Sequence, residues 1–404
     1  MKTRFTVALL LAGSGAMAAP AAETTSPPPA VTPYADLRYR LEIVDQAGLA
    51  RDATASTLRA RGGLRSRGWH GFDALLEGEA TIRVGGEQYN DTVNARTQYP
   101  VVADPQDAIV NQAWLRFRPN DRVTLQAGRQ AVNLDNQRWV GSVGWRQNDQ
   151  TLDAAGVTLS PAKAVTLGWT HAWRVNRVFG TDSPQGTWRD NDINLLRLGA
   201  ELGRFGTVVA YGYLLDIPDA PAASSRTVGA RYSGSRATGG KLKLLYALEY
   251  ARQGDHGANP RGFELDYLLV EPGMAIGPAT LKAGFERLEG DGTGALQTPL
   301  ATLHAFNGWA DKFLSTPPDG LRDVYVDAAW AFKGAGIVGG TTVRIGWHDY
   351  RADHNSARYG TEWNAQVARP FGKRVSALVK FAAYDADSFA TDTTKLWVAV
   401  EGKF

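Results

Sequence analysis

The sequence contains no cysteine, which excludes a disulfide framework and any metal site built from thiolates. Its six histidines are scattered, and none forms an H-E-x-x-H pair or stands in a nucleophile elbow. The formal net charge is only +3 and falls to +1 when Lys2 and Arg4 are set aside, so no basic excess indicates nucleic-acid binding. We therefore predict no metal, no cofactor and no nucleic-acid partner.

Long apolar runs are also scarce. Beyond the first residues, no stretch approaches the ~20 apolar residues of a spanning helix. Residues 1–18 combine a basic start, a short apolar stretch and the small-x-small site Ala16-Met17-Ala18, which is typical of a secretory signal peptide cleaved after Ala18. Residues 19–33 include five prolines and are predicted to form an extended periplasmic lead-in.

From Tyr34 onward, apolar and polar residues alternate with a period of two. In the first such segment Leu37 and Leu41 fall on one face, while Arg38 and Arg40 fall on the other. Strands of soluble sandwiches are typically ~5–6 residues long, whereas these segments have the length that crosses a bilayer at a tilt of ~45°. We therefore predict that residues 34–404 form an all-β, transmembrane antiparallel barrel of 18 strands. The predicted strands are 34–43, 56–66, 72–84, 108–118, 122–131, 151–159, 164–175, 192–202, 206–216, 225–234, 241–252, 262–271, 279–288, 321–332, 341–350, 358–368, 374–385 and 394–404.

The connections between these segments alternate in length. From a periplasmic start, even-numbered connections should be short inner turns and odd-numbered ones long outer loops. The connections 119–121 and 203–205 are short, whereas 85–107, 132–150 and 289–320 are long. The alternation supports short periplasmic turns and long extracellular loops.

The chain stops on an aromatic residue, Phe404, at the end of its last strand. A sheet edge cannot stay unpaired in lipid, so the last strand is predicted to pair with the first. A final strand ending in phenylalanine is similar to the signal that barrel-assembly machinery reads, which makes that machinery a predicted partner together with the lipid bilayer.

The charged face of each strand is predicted to line the lumen, because an arginine or lysine at the bilayer midplane costs ~2–4 kcal/mol. Two interpretations of these charges are open. Arginine–carboxylate ladders could brace the wall, or rings of arginine could pass anions. The predicted pore-lining residues of the strands are Arg38, Arg40, Arg59, Arg61, Glu77, Glu79, Arg116, Asp323, Asp327, Arg344 and Glu362.

Three further arginines, Arg129, Arg138 and Arg146, are also predicted to line the pore, and they accompany glutamines and asparagines around the third outer loop. Folded into the barrel mouth, such a loop could pass carboxylates between weak sites. The alternative is that Trp139 and Trp145 only anchor the loop against the wall.

Two loop segments resemble the alginate-export family of outer-membrane barrels. The first runs from Gly128-Arg129-Gln130 through NLDNQRWVG at 133–141 to WRQNDQ at 145–150, and the second is QTPLATLHAFNGWADKFLSTPP at 297–318. The resemblance implies an 18-stranded barrel that passes a polyanionic uronate polymer through an arginine-rich constriction.

Together, these features predict a passive, anion-selective channel in the outer membrane of a Gram-negative bacterium. Its solutes would be carboxylated saccharides, a uronate polymer such as alginate, or small anions. The alternatives are a general diffusion porin and an outer-membrane lipid hydrolase, for which His354 and Ser356 have the required spacing. A closed barrel serving as a scaffold or receptor is a further alternative.

Overall fold

The computed structural model describes residues 31–334 and 336–404. The predicted signal peptide and residues 19–30 of the predicted lead-in lie outside the described residues. Residues 31–33 belong to the first strand, which pairs Val31 with Ser66 and Pro33 with Leu64. The wall therefore begins earlier than predicted. Proline is tolerated here because these residues extend beyond the last strand and form a free edge, where no N–H donor is required.

Eighteen long strands close into a single antiparallel barrel within the described ranges, and a nineteenth strand of two residues, β8, extends one outer loop. Each predicted strand is present, so the predicted fold class is confirmed. The strands are β1 Val31–Gln46, β2 Ala53–Trp69, β3 Phe72–Arg83, β4 Asp107–Asn120, β5 Val123–Gln130, β6 Thr151–Ala162, β7 Val165–Asn176, β8 Thr187–Trp188, β9 Asp192–Glu201, β10 Thr207–Asp216, β11 Ser225–Ala237, β12 Leu242–Asp255, β13 Glu264–Ile276, β14 Ala279–Leu288, β15 Leu321–Ala331, β16 Thr342–Arg351, β17 Arg358–Phe371, β18 Val375–Ala386 and β19 Thr393–Lys403.

The last strand closes the barrel on the first. Arg38 in β1 is opposite Glu401 in β19. The amide of Ala35 donates to the carbonyl of Phe404 at 3.0 Å, and the amide of Phe404 donates back to Ala35 at 2.8 Å. The predicted pairing of the two terminal strands is confirmed, and it satisfies the edge groups that lipid would leave without partners.

The two faces of the wall follow the predicted alternation. In β1, Leu37 and Ile43 are exposed on the outer side, whereas Arg40 and Glu42 are buried inside the barrel. The same parity exposes Val324 and Ile345 outside and buries Asp323 inside. An apolar band therefore faces outward and a polar surface faces the lumen.

Helical structure is limited to three short 3-10 turns in the described part of the chain, at Gly203–Phe205, Pro221–Ala223 and Leu303–Ala305. No helix among the described residues is long and apolar enough to cross a membrane.

Two outer loops fold into the barrel and carry its apolar core. Loop L3 (residues 131–150) contributes Trp139 and Val140, and loop L7 (residues 289–320) contributes Leu300. These side chains pack with wall residues such as Leu195 of β9. Loop L2 (residues 84–106) forms a smaller cluster against β1 and β2.

We predict that a charge on the outer face is costly and that the same charge in the lumen is tolerated. Ile345 is 48% exposed on the outer face near the middle of β16, and Gln366 of β17 faces the lumen at a similar depth. Ile345→Lys should lower the free energy of unfolding by ~2–4 kcal/mol. Gln366→Lys is the matched control. Urea unfolding in phospholipid vesicles measures both, and equal losses would contradict the assignment of faces.

Candidate functional site: loops L3 and L7 inside the barrel

Loops L3 and L7 are joined to each other inside the lumen. Val140 and Leu300 form a parallel β-bridge, and the amide of Gly141 donates to the carbonyl of Leu300 at 2.9 Å. The Thr302 hydroxyl donates to Gln137 Oε1 at 2.7 Å. The two loops therefore form one unit that narrows the lumen.

One side of this unit is held by arginines of β1. Arg38 donates through Nε to Gln147 Oε1 at 3.0 Å and through Nη1 to the carbonyl of Gly144 at 2.8 Å. Arg40 donates to the carbonyl of Trp145 at 2.5 Å and forms an ion pair with Asp104 of L2. These two predicted pore residues thus hold L3 against the wall.

Neighbouring arginines of β2 are also occupied by carboxylates. Arg61 contacts Glu79 and lies 2.6 Å from Asp149 of L3. Arg59 lies 2.5 Å from Asp36 and 3.1 Å from Glu401. The geometry of Arg40, Arg59 and Arg61 favours the bracing interpretation over a free ring of positive charge.

L7 is held against the wall by Glu362 of β17, which lies three strands from β1 around the barrel. This buried carboxylate accepts the amides of Trp309 and Ala310 at 2.5 and 2.8 Å. Gly308, with φ +83°, packs so closely that a Cβ atom would collide with Glu362 and the hydroxyl of Tyr350. The backbone of L7 therefore approaches the wall as near as a glycine allows.

Two loop arginines connect L3 to wall and loop carboxylates. Arg138 lies 2.8 Å from Glu286 of β14, and its Nη2 donates to Asn307 Oδ1 at 3.0 Å. Burial opposes its charge, but Glu286, Tyr267 and Glu249 together outweigh burial and raise the pKa of Arg138. Arg146 lies 3.0 Å from Asp311 of L7. Both predicted loop residues are inside the barrel and fully occupied.

A lysine enclosed by aromatic rings lies beside these pairs. Lys380 Nζ of β18 is 2.6 Å from His304 Nε2 and 3.8 and 4.3 Å from the ring centres of Trp309 and Trp145. His304 Nδ1 is 2.6 Å from Asp311 Oδ1. Burial lowers the pKa of His304 to about 3. Sequence reasoning missed Lys380 and His304, because a single lysine on a strand carries no motif.

Two further predicted pore residues differ in their relation to the loop unit: Arg116 bonds to a neighbouring strand, and Arg344 contacts L7 through an aromatic ring. Arg116 donates to Gln126 Oε1 at 2.9 Å. Arg344 lies 2.5 Å from Asp327, with its guanidinium 5.2 Å from the ring centre of Trp309.

Two predicted lumen carboxylates have neutral or histidine partners. Glu77 accepts from Asn111 Nδ2 at 2.8 Å and from the Tyr34 hydroxyl at 2.5 Å. Asp323 accepts from Asn307 Nδ2 at 3.1 Å and lies 2.9 Å from His348 Nδ1.

The prediction that Arg129 lines the lumen is wrong. Arg129 lies within β5 and is directly opposite Ala113, on the same face as the exposed Leu125, whereas its neighbour Gln130 is buried. Its guanidinium pairs outside with Asp153 of β6 at 2.7 Å. Because β5 continues to Gln130, strand parity rather than loop geometry sets the direction of Arg129.

The closed barrel with inward-folded loops defines a porin-like membrane protein. The chain is similar in structure to Pseudomonas aeruginosa OpdL, with 16% identity, a TM-score of 0.72 and coverage of 93% of this chain and 98% of that one. Acinetobacter baumannii OccAB4 gives 13% identity, a TM-score of 0.73 and the same coverage.

Pseudomonas aeruginosa OpdK, solved with vanillate, gives 13% identity and a TM-score of 0.72, and covers 92% of this chain and 98% of that one. No protein-family model and no curated protein matches the chain. The fold is therefore that of the Occ/Opd outer-membrane porins. The resemblance to the alginate-export family is not supported.

We predict that Glu362 holds L7 in place. In Glu362→Ala the amides of Trp309 and Ala310 lose their acceptor inside the barrel, and an unsatisfied buried group costs about 1–3 kcal/mol. L7 should then be cut by trypsin after Lys312 faster than in the parent. Glu264→Ala, which breaks only exposed ion pairs at the rim, is the control. Equal cleavage of all three proteins would contradict this role.

We also predict that L7 docks less tightly in acid. His304 has a pKa of about 3 in the folded loop against an ordinary value of 6.5. Its contribution to stability is complete above pH 6.5 and is lost as the pH falls towards 3, at up to ~1.4 kcal/mol per pH unit. Burial opposes the charge of Asp311, but His304, Lys395 and Arg146 together hold the pKa of Asp311 well below its ordinary value.

Hydrogen exchange of residues 303–313, corrected for intrinsic rates, measures this effect between pH 7 and pH 4.5. Protection should fall with pH in the parent protein and stay nearly constant in His304→Gln. A constant protection factor in the parent would refute the prediction.

Proposed function

We propose that the protein is a passive outer-membrane channel for small hydrophilic solutes, acting as a general diffusion porin with a weak charge preference. The observation that carries this proposal is the local pairing of lumen charges around the joined loops L3 and L7. Arg40, Arg59 and Arg61 each contact carboxylates. A solute in the lumen therefore meets paired charges rather than a free ring of arginine.

The lumen charges without a partner of opposite sign are of both kinds. Within the described residues, Arg38, Arg116 and Lys380 contact no carboxylate. Within the same ranges, Glu77 and Glu362 contact no lysine or arginine. The presence of both signs favours general passage over the predicted anion selectivity.

The joined loops also argue against a polymer as the solute. L3 and L7 contact each other inside the lumen, and L3 reaches from Arg40 of β1 to Glu249 of β12, which accepts the indole N–H of Trp139 at 2.7 Å. A uronate chain would have to separate these contacts along its whole passage. Small solutes need only the space left beside the loops.

A second candidate solute class is the small carboxylates. OpdK is a structural neighbour solved with vanillate. In this chain Arg344 is the supporting residue, because its side chain is 33% exposed in the lumen below L7 although it pairs with Asp327. Its terminal nitrogens could make transient contacts with a carboxylate.

The lipid-hydrolase alternative has weaker support. Ser356 and His354 are both exposed in an outer loop, and the Ser356 hydroxyl is 3.5 Å from Arg322 Nη1. Within the described residues, no hydrogen bond joins His354 to Ser356. A serine nucleophile requires a base within hydrogen-bond reach.

Purified protein in planar bilayers tests the proposed function. We expect steady conductance, a reversal potential near zero in a salt gradient, and swelling of liposomes in small neutral sugars. Under the same conditions, an alginate oligomer should not pass. A strongly anion-selective reversal potential would instead support the carboxylate candidate, and a lack of conductance would refute the channel.

A further inference from the structure

Four arginines lie side by side on the outer face of the barrel, at the extracellular ends of neighbouring strands. The arginine row consists of Arg287 in β14, Arg322 in β15, Arg351 in β16 and Arg358 in β17, each opposite the next in the strand register. Like charges directly opposite each other destabilise a sheet. The row therefore needs anionic groups beside it.

The arginine row lies just above the apolar band. Val324 is two residues below Arg322 on the same face, a distance of ~6.6–6.8 Å along a strand, and is exposed. Leu321, the residue before Arg322, is buried inside the barrel. This parity directs the row outward, at the level where the headgroups of the outer leaflet meet the barrel.

Two carboxylates near the row lie beneath it and two lie at the surface. Of the surface pair, Glu289 is 28% exposed and accepts Nη2 of Arg287 at 2.8 Å, and Asp387 is 51% exposed and lies 3.5 Å from Nη1 of Arg358. Asp353 is 4% exposed and accepts Nε of Arg287 at 2.8 Å and Nε of Arg322 at 2.7 Å. Asp349 is 16% exposed and accepts Nε of Arg351 at 3.1 Å. The side chains of Arg351 and Arg358 are 53% exposed.

Since Nε is the nitrogen directed to these buried acids, the terminal nitrogens of Arg351 remain on the surface. Within the described residues they make no hydrogen bond. The guanidinium surface of the row that is free to bind a ligand is thus centred on Arg351.

We propose that the arginine row binds the phosphate groups of phosphorylated glycolipids in the outer leaflet. Guanidinium groups fit phosphate oxygens in a bidentate manner. Neighbouring strands place opposite side chains ~4.5–5.5 Å apart at Cβ, so one phosphate can contact two arginines of the row. This inference does not depend on which solute the channel carries.

A second pair of rim arginines provides a matched control. Arg226 and Arg252 are 51% and 57% exposed on the same outer rim, but both bind Glu264, which is itself 48% exposed. They are not directly opposite each other in the register. This pair has similar exposure to Arg351, but both of its arginines bind one exposed carboxylate through a terminal nitrogen, whereas the terminal nitrogens of Arg351 are free within the described residues.

The test compares thermal unfolding in phosphatidylcholine vesicles with and without lipid A, with native mass spectrometry to count bound lipid A. Lipid A should raise the unfolding temperature of the parent protein, and dephosphorylated lipid A should not. Arg322→Gln/Arg351→Gln should lose most of this rise and most of the bound lipid. Arg226→Gln/Arg252→Gln should keep both.

An equal rise with dephosphorylated lipid A or with phosphatidylglycerol would overturn the proposal, as would a full rise in the row variant. Arg322→Lys/Arg351→Lys preserves the charge but removes the planar fork, and it should bind less lipid A than the parent. Heat-modifiable mobility in electrophoresis shows that each variant is folded before the comparison is made.

Discussion

The structure depends on one constraint: in hydrocarbon, every peptide N–H and C=O must find a partner within the protein. The register between β1 and β19, completed by the reciprocal bonds of Ala35 and Phe404, satisfies this constraint for the last open edge. Lipid lies on one side of the barrel wall and the aqueous lumen on the other, so apolar and charged residues alternate along each strand.

A barrel of this size cannot fill its interior with wall side chains alone. L3 and L7 provide the missing core, and their contacts explain why charges crowd the inner surface. Arg40 needs the carboxylate of Asp104, and the backbone of L7 needs the acceptor Glu362, because both sites are cut off from bulk water. These charged residues therefore serve mainly to hold the loops in place. Any effect on solutes results from the charges that remain on the lumen surface.

The strands could be predicted because a period of two appears in the sequence itself, and the closing role of Phe404 followed from the edge constraint. The site could be predicted only in part. Arg38 and Arg40 were assigned to the lumen by parity, but nothing local shows that Asp104 would reach Arg40 across 64 residues. Arg129 was misassigned because it was grouped with the loop arginines, although the predicted strand 122–131 already placed it on the same face as Leu125. Lys380 acquires its partners only through the fold of L7.

Gly308 limits how the shape of the barrel lumen can change by substitution. With any larger residue there, L7 would have to move away from Glu362 and Tyr350, and its contacts with L3 would have to change as well. Changes in pore size by substitution are therefore expected in the parts of the lumen that the loops leave open, such as the surroundings of Arg116. The part of the lumen that the loops occupy would keep its shape while the periplasmic side of the barrel diversifies.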